Sequence, residues 1–319
     1  MKRLFLFCMI VAVVSLGVFS ETPSGIGAAS FARLGIDARP LAMGGAFVAI
    51  AEGGSAAYYN PAGLATVKTF TVGGMYSEPY GEGFGITFQY LSVLGYLGTQ
   101  TPSFSGVGVA GTWLQMEIAD IPIWEEEGPS STFTATSSVY LASVGVSISE
   151  TGNWTVGGSA KIYQDRILEG RGDGLGFDLG VLWSFQVADV PLTIGVNSMD
   201  IGRTKIRWRE TTGEPVNYVP WVNKVGLSTY LLDRLVLLAG DFDWVVGRPA
   251  REQNLHLGME VRPLEALSLR VGWSGDLEGT GAFAGGIGVY LFGMISIDYA
   301  YVPGKAFGAT HFVSAQFSF

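Results

Sequence analysis

The stretch ALSLRVGWS, residues 266–274, alternates strictly: Leu267, Leu269, Val271 and Trp273 fall on one face of an extended chain, and Ser268, Arg270, Gly272 and Ser274 on the other. Working outward, NLHLGMEVR (254–262) sets Leu255, Leu257, Met259 and Val261 against Asn254, His256, Gly258 and Glu260. The stretches LGFDLGVLWSF (175–185), PLTIGVN (191–197) and GMISIDYAY (293–301) repeat the pattern. One face is apolar, with aromatics towards its ends, and the other is small or polar.

Composition says which solvent the apolar face meets. The chain of 319 residues is 48% hydrophobic and 15% charged, with a mean hydropathy of +0.33, values typical of membrane proteins. Yet after residue 20 no window approaches 18 consecutive uncharged apolar residues, which excludes a helical membrane protein. A transmembrane β-barrel resolves the conflict, because its strands face lipid only at alternate residues. The first twenty residues, MKRLFLFCMIVAVVSLGVFS, have the basic start (Lys2, Arg3), short apolar run and small residues of a secretory signal peptide. Cys8 lies inside that run, so the exported chain has no cysteine and no disulfide. Without Lys2 and Arg3 the net charge moves from −9 to −11, which argues against nucleic acid as a partner.

The pattern predicts about fourteen strands, at 68–77, 83–96, 103–119, 133–149, 153–168, 173–187, 190–199, 219–231, 234–246, 252–262, 266–275, 281–291, 293–302 and 308–319. Tight joints at 151–152, 188–189, 232–233, 262–266 and 292–293 take turns with longer polar ones, at 120–132, 201–218 and 246–253. That beat predicts an antiparallel up-and-down barrel over 68–319, with short periplasmic turns and long extracellular loops. The last strand, THFVSAQFSF, ends on alternating Phe317 and Phe319. It resembles the sorting signal that outer-membrane proteins present to the barrel-assembly machinery.

Ahead of the strands, ARPLAMGGAFVAIAEGGSAAYYNPAGLA (38–65) is of another kind. It resembles the N-terminal segment of FadL-like and PorV/PorQ-like outer-membrane proteins, with Asn60-Pro61-Ala62 at the position of their Asn-Pro-Ala motif. The ending SIDYAYVPGKAFGATHFVSAQFSF resembles the closing hairpin of the PorV/PorQ group. The resemblance implies a bacterial outer-membrane barrel of fourteen strands, plugged by its N-terminal segment. It also implies a role in assisting protein export or surface attachment, with secretion-system proteins as partners beside outer-membrane lipid. The FadL-like alternative is a channel for a hydrophobic ligand.

The residues themselves suit a plug at 21–67. Pro40 fits a first helical turn, Gly44 and Gly45 make a poor isolated helix, and Ser55 is placed to cap a turn through Tyr58 and Tyr59. Pro61 stops that turn at Asn60, and Gly63 allows a reversal into the first strand. On the strands' polar faces, Gly157, Gly176, Gly180, Gly195, Gly258, Gly272, Gly286 and Gly288 predict close packing against inserted backbone. Between them Lys161, Asp165, Asp178, Asp241, Asp243, His256, Glu260, Arg270 and Asp298 are candidates for a hydrated ion-pair network fixing the plug. These inward residues predict a lumen too polar and too small for a greasy pocket.

Catalytic and metal chemistry have no readable constellation. His311 shares the apolar face, His256 has no serine and acid forming a triad with it, and GEGFG (81–85) and GRGDG (170–174) open no helix. Glu125, Glu126 and Glu127 form a solvated acidic loop, and the aspartates lack ligand spacing. The chain is expected not to be an enzyme and to carry no metal or cofactor.

Overall fold

The computed structural model describes residues 28–79, 83–101, 104–125, 128–148, 153–247, 253–277, 280–304 and 308–319. The signal segment, the 151–152 turn and Glu126–Glu127 lie outside the described residues. Period-2 alternation yields strands β1 Thr71–Ser77, β2 Ile86–Thr101, β3 Phe104–Glu125, β4 Gly128–Ser147, β5 Trp154–Ile167, β6 Gly170–Val187, β7 Val190–Met199 and β8 Lys205–Arg209. Then follow β9 Val216–Tyr218, β10 Val222–Leu231, β11 Val236–Val245, β12 Gln253–Leu264, β13 Leu267–Asp276, β14 Gly281–Leu291, β15 Ile295–Gly304 and β16 Gly308–Ser318.

Fourteen of them close into an antiparallel barrel. The order runs β5-β4-β3-β2-β1-β16-β15-β14-β13-β12-β11-β10-β7-β6, and β6 pairs back to β5. The seam is β1 on β16, from Thr71 opposite Ser318 to Ser77 opposite Phe312. Beyond it Phe70 and Phe319 exchange both backbone hydrogen bonds, and their rings stand 5.0 Å apart. The terminal aromatics Phe317 and Phe319 thus sit on the outer surface at the end of the barrel that carries the tight turns.

Two joints expected as loops are strand. At 120–132, β3 and β4 continue to Glu125 and Gly128 past a register shift at Ile118/Ile121, where Asp120 turns left-handed (φ 54) and the pairing resumes from Ile121 opposite Phe133. At 201–218, β8 resumes pairing with β6 above β7, and β9 pairs with β8, so a hairpin stands on the wall at the loop end. Between β7 and β8, residues 200–204 leave the sheet, as do 219–221 between β9 and β10. The regular ladder is therefore interrupted over both segments at one height, where Ile201 N–H still donates to the Phe177 carbonyl, Val219 to Thr204 and Val246 to Trp221.

The outer face is apolar along the middle of each strand: Leu175, Phe177 and Leu179 on β6 are each more than half exposed. Towards the loop end it turns polar, at Gln164 on β5 and Asp173 on β6. Leu179→Arg places a charge in the apolar band and should cost the barrel roughly 2–4 kcal/mol, whereas Gln164→Arg, beyond that band, should cost about 1 kcal/mol or less. Denaturant midpoints of both variants in one lipid check the boundary. Equal losses would contradict it.

Residues 28–66 fill the lumen. A 3-10 turn at Ser30–Arg33, helix α1 at Ala38–Ala42, helix α2 at Ala56–Tyr59 and a 3-10 turn at Pro61–Ala65 are joined by irregular chain. Ala28 donates to the Tyr218 carbonyl at the loop end, so the segment descends from there through the barrel to β1 at the turn end. Its buried Ile36, Met43, Phe47 and Tyr59 pack into one core with barrel side chains such as Phe88, Leu114, Leu237 and Phe312. The helices are short for a physical reason. Gly44 and Gly45 both take positive φ (67 and 86), and a Cβ on Gly44 would come within 2.6 Å of the Trp273 backbone, so α1 ends and the chain turns against the wall.

Candidate functional site

Two centres occupy the lumen: the seat of the plug, and a cavity above it. The seat is built on a row of inward glycines. Gly108, Gly145, Gly157 and Gly180 lie directly opposite one another across β3, β4, β5 and β6. A Cβ on Gly157 would lie 2.3 Å from the Pro61 carbonyl carbon, one on Gly180 2.0 Å from Asn60 Oδ1, and one on Gly108 2.1 Å from the Leu64 oxygen. Opposite, Gly258 and Gly272 receive Met43 in the same way. Gly176 and Gly288 do not meet the plug: Gly176 faces Asp200 and Thr204, and Gly288 faces Arg270 and Asp298.

Asn60 is fully buried and uses its amide on both sides. Nδ2 donates to the carbonyls of Val48 (3.0 Å), Val181 (3.1 Å) and Val196 (3.3 Å), while Oδ1 accepts from Ala62 N–H (3.2 Å). Its extended backbone ends α2, and Pro61 opens the next turn at a position where a missing N–H costs nothing. Asn197 of β7 donates to the Tyr59 carbonyl (2.8 Å), and Tyr59 to the Ile36 carbonyl (3.0 Å). Two local readings are corrected. Ser55 makes no side-chain cap to α2 and instead lies 3.5 Å from the Glu52 carbonyl. Gly63 is required by close approach and not by a reversal, since a Cβ there would lie 1.7 Å from the Ala51 carbonyl, and β1 begins only at Thr71.

The inward charges sort into three groups. At one, Glu260 accepts from Arg39 of the plug (2.7 Å), Arg270 (2.6 Å) and Arg262 (2.7 Å); Arg39 also pairs with Glu52, and Arg270 with Asp298. At the second, Asp241 accepts the backbone N–H groups of Phe47 (2.6 Å) and Val48 (2.8 Å). Alongside, Asp243 pairs with Lys224 (3.0 Å) and lies 3.5 Å from His256 Nε2, while His256 Nδ1 donates to the Gly44 carbonyl (2.7 Å). The third group holds the interrupted ladder and not the plug. Lys161 bridges Asp178 (2.8 Å) and Asp200 (3.0 Å), and Tyr163 and Thr204 also donate to Asp200. Asp165, buried opposite Ser137, joins none of these ion pairs among the described residues.

Above the seat lies a cavity of about 260 Å³. One side is apolar: Leu114, Val139 and Leu141 from β3 and β4, with Met199, Val219 and Val222 beside the interrupted ladder. The other side carries Lys161, Asp200, Lys224, Asp243 and His256, all within the groups just described. The plug contributes Tyr58, whose hydroxyl donates to the Ala32 carbonyl (2.7 Å). Ala29, Ala32, Arg33, Tyr163, Pro220, Asn254 and Ser274 complete the lining.

This cavity corrects the expectation of a uniformly polar, small-residue lumen. Towards the loop end the two faces of the wall exchange character. On β3 the outward residues become Gln115 and Glu117 while Leu114 and Met116 turn inward, and on β8 Lys205, Arg207 and Arg209 face out while Ile206 and Trp208 face in. The signal was in the sequence, as an inversion of the alternation in GTWLQMEI and TKIRWRE.

No family model matches the sequence, and no curated protein matches it. Solved structures do. The toluene transporter TodX of Pseudomonas putida aligns with a TM-score of 0.60 and 14% identity, over 89% of this chain and 98% of that one. The monoaromatic hydrocarbon channel CymD aligns at 0.59 and 13%, over 90% and 98%. The toluene transporter TbuX of Ralstonia pickettii aligns at 0.50 and 14%, over 89% and 98%. At such identities the likeness is one of architecture: the chain has the fold of FadL-like outer-membrane hydrocarbon channels.

Proposed function

We propose that the chain is a bacterial outer-membrane channel that takes up small hydrophobic molecules. The observation that carries this reading is the cavity of about 260 Å³ between the plug and the loop end, with one wall of Leu114, Val139, Leu141, Met199, Val219 and Val222. An apolar recess with a few convergent polar groups is the usual form of a small-molecule site. The interrupted ladder at 200–204 and 219–221 borders the cavity, and there the Lys161–Asp200 pair and single backbone bonds hold the wall together. The solved hydrocarbon channels of the same fold support the reading. The export role that the PorV/PorQ resemblance implies finds no support in the comparisons or in the lumen, which is closed by the plug at its seat.

Uptake of labelled toluene by intact cells lacking their own hydrocarbon channels, with and without the protein, tests the proposal. Leu141→Trp fills the recess from a strand position and should reduce uptake to near the background of cells without the channel, while leaving the folded fraction on gels unchanged. Equal uptake by parent and variant, or none above background by the parent, would overturn it. Capture of secretion-system proteins with a parent that takes up nothing would favour export.

A further inference from the structure

Outside the lumen, cations gather on one patch of the outer surface at the loop end. Outward positions run Ile162, Gln164, Arg166 along β5 and Leu175, Asp173, Arg171 along β6. Both strands thus pass from exposed apolar side chains to arginine within four residues, about 13 Å of strand. Register sets Arg166 opposite Arg171, and Arg171 opposite Arg209 of β8. With neighbouring strands about 4.8 Å apart, the three Cα atoms span roughly 10 Å. Arg207 and Lys205 hold the next outward positions on β8, and Arg203 lies below with its guanidinium 4.8 Å from the Tyr218 ring. Six of the chain's 19 Lys and Arg residues are here, in a protein of net charge −9.

The carboxylates here are fewer: Asp173 opposite Arg207, Glu210 at 3.7 Å from Arg171, Glu169 in the β5–β6 turn and Glu214 in the β8–β9 turn. Like charges directly opposite on a sheet repel, and these side chains are exposed, so internal packing does not require them. The inner side of β8 is accounted for separately, since Ile206 and Trp208 lie against Gly172 of β6. The arginine row asks for an anion from outside.

We propose that Arg166, Arg171 and Arg209, with Arg207 beside them, form a docking surface for the phosphate-bearing headgroups of lipids in the leaflet at the loop end. Guanidinium binds phosphate through paired charge-assisted hydrogen bonds. The patch begins just beyond the apolar positions Ile162 and Leu175, where a lipid lying along those side chains carries its headgroup. A dissolved phosphate ion would meet the same cations without that apolar contact, so the surface selects the lipid. The site is independent of the cavity, and its test does not depend on what the channel carries.

The test uses the full chain in phosphatidylcholine nanodiscs containing diphosphoryl lipid A, with protein-bound lipid counted by native mass spectrometry. The parent should enrich diphosphoryl lipid A over phosphatidylcholine. The triple variant R166Q/R171Q/R209Q should lose that enrichment by about tenfold or more, and Arg171→Gln alone should fall between. Arg234→Gln, at the turn end against Tyr230, should bind as the parent does. Heat-modifiability on gels shows whether each variant is folded, and the single variant decides if the triple is not. The proposal is overturned if the folded variants retain lipid A like the parent, if dephosphorylated lipid A is retained equally, or if millimolar inorganic phosphate displaces the lipid completely.

Discussion

Deleting residues 28–66 should leave a barrel that still assembles and that conducts several-fold more than the parent in planar bilayers. The wall supplies its own closure: fourteen strands pair in a closed ring, and the β1–β16 seam lies outside the deleted segment. Diameter follows strand number and not the contents of the lumen, and a barrel approaching porin size encloses water once emptied. The deleted segment fills the space at the glycine row, where Pro61 and Leu64 lie so close to Gly157 and Gly108 that a single Cβ would not fit. The groups it leaves behind, Asp241, His256 and Glu260, are charged or polar and will hydrate. Conductance no higher than the parent's, from a barrel shown to be folded, would mean that another element obstructs the lumen.

Glu260→Gln should be the most damaging single change in the seat. The carboxylate is almost wholly buried and accepts from three arginines, of which Arg39 is the plug's own. With a neutral amide in its place, the guanidinium groups of Arg39, Arg262 and Arg270 converge with only Glu52 and Asp298 to balance them. Removing one partner of a buried pair costs about 3–5 kcal/mol, because the remaining charge stays desolvated. The variant should show a lower denaturant midpoint and flickering conductance as the plug leaves its seat. Glu210→Gln removes the partner of exposed Arg171 at 3.7 Å and should change stability by about 1 kcal/mol or less. Similar losses in the two variants would show that the Arg39–Glu260 contact does not hold the plug.

The barrel was legible in the sequence because lipid imposes one rule on every strand: apolar outside, small or polar inside, period two. That rule let ALSLRVGWS be read as β13 and THFVSAQFSF as β16 without help from the rest of the chain. It failed where the strands leave the lipid. Beyond Trp113 and Leu175 the outer face leaves the apolar band and the inner face meets the cavity, so the β3–β4 extension and β8 read as polar loops. Leu114, Val139 and Leu141 were missed for the same reason: they are apolar residues on a face expected to be polar. The plug was legible in part. Pro61 and the glycine pair 44–45 break helices by local chemistry, which a sequence reports. The donations from Asn60 to Val181 and Val196 join residues more than a hundred positions apart, and no local pattern announces them. The third charge group shows the same limit, since Asp200 lay in an expected loop and its partner Lys161 was read as a plug contact.

Whether a hydrophobic molecule occupies the cavity over the plug is read most directly by anomalous diffraction from crystals of the full chain soaked in bromobenzene. A bromine peak is expected between Leu141 and Val219, and it should be lost in Leu141→Trp. A peak confined to the lipid-facing surface, with the cavity filled only by water, would contradict uptake through this recess.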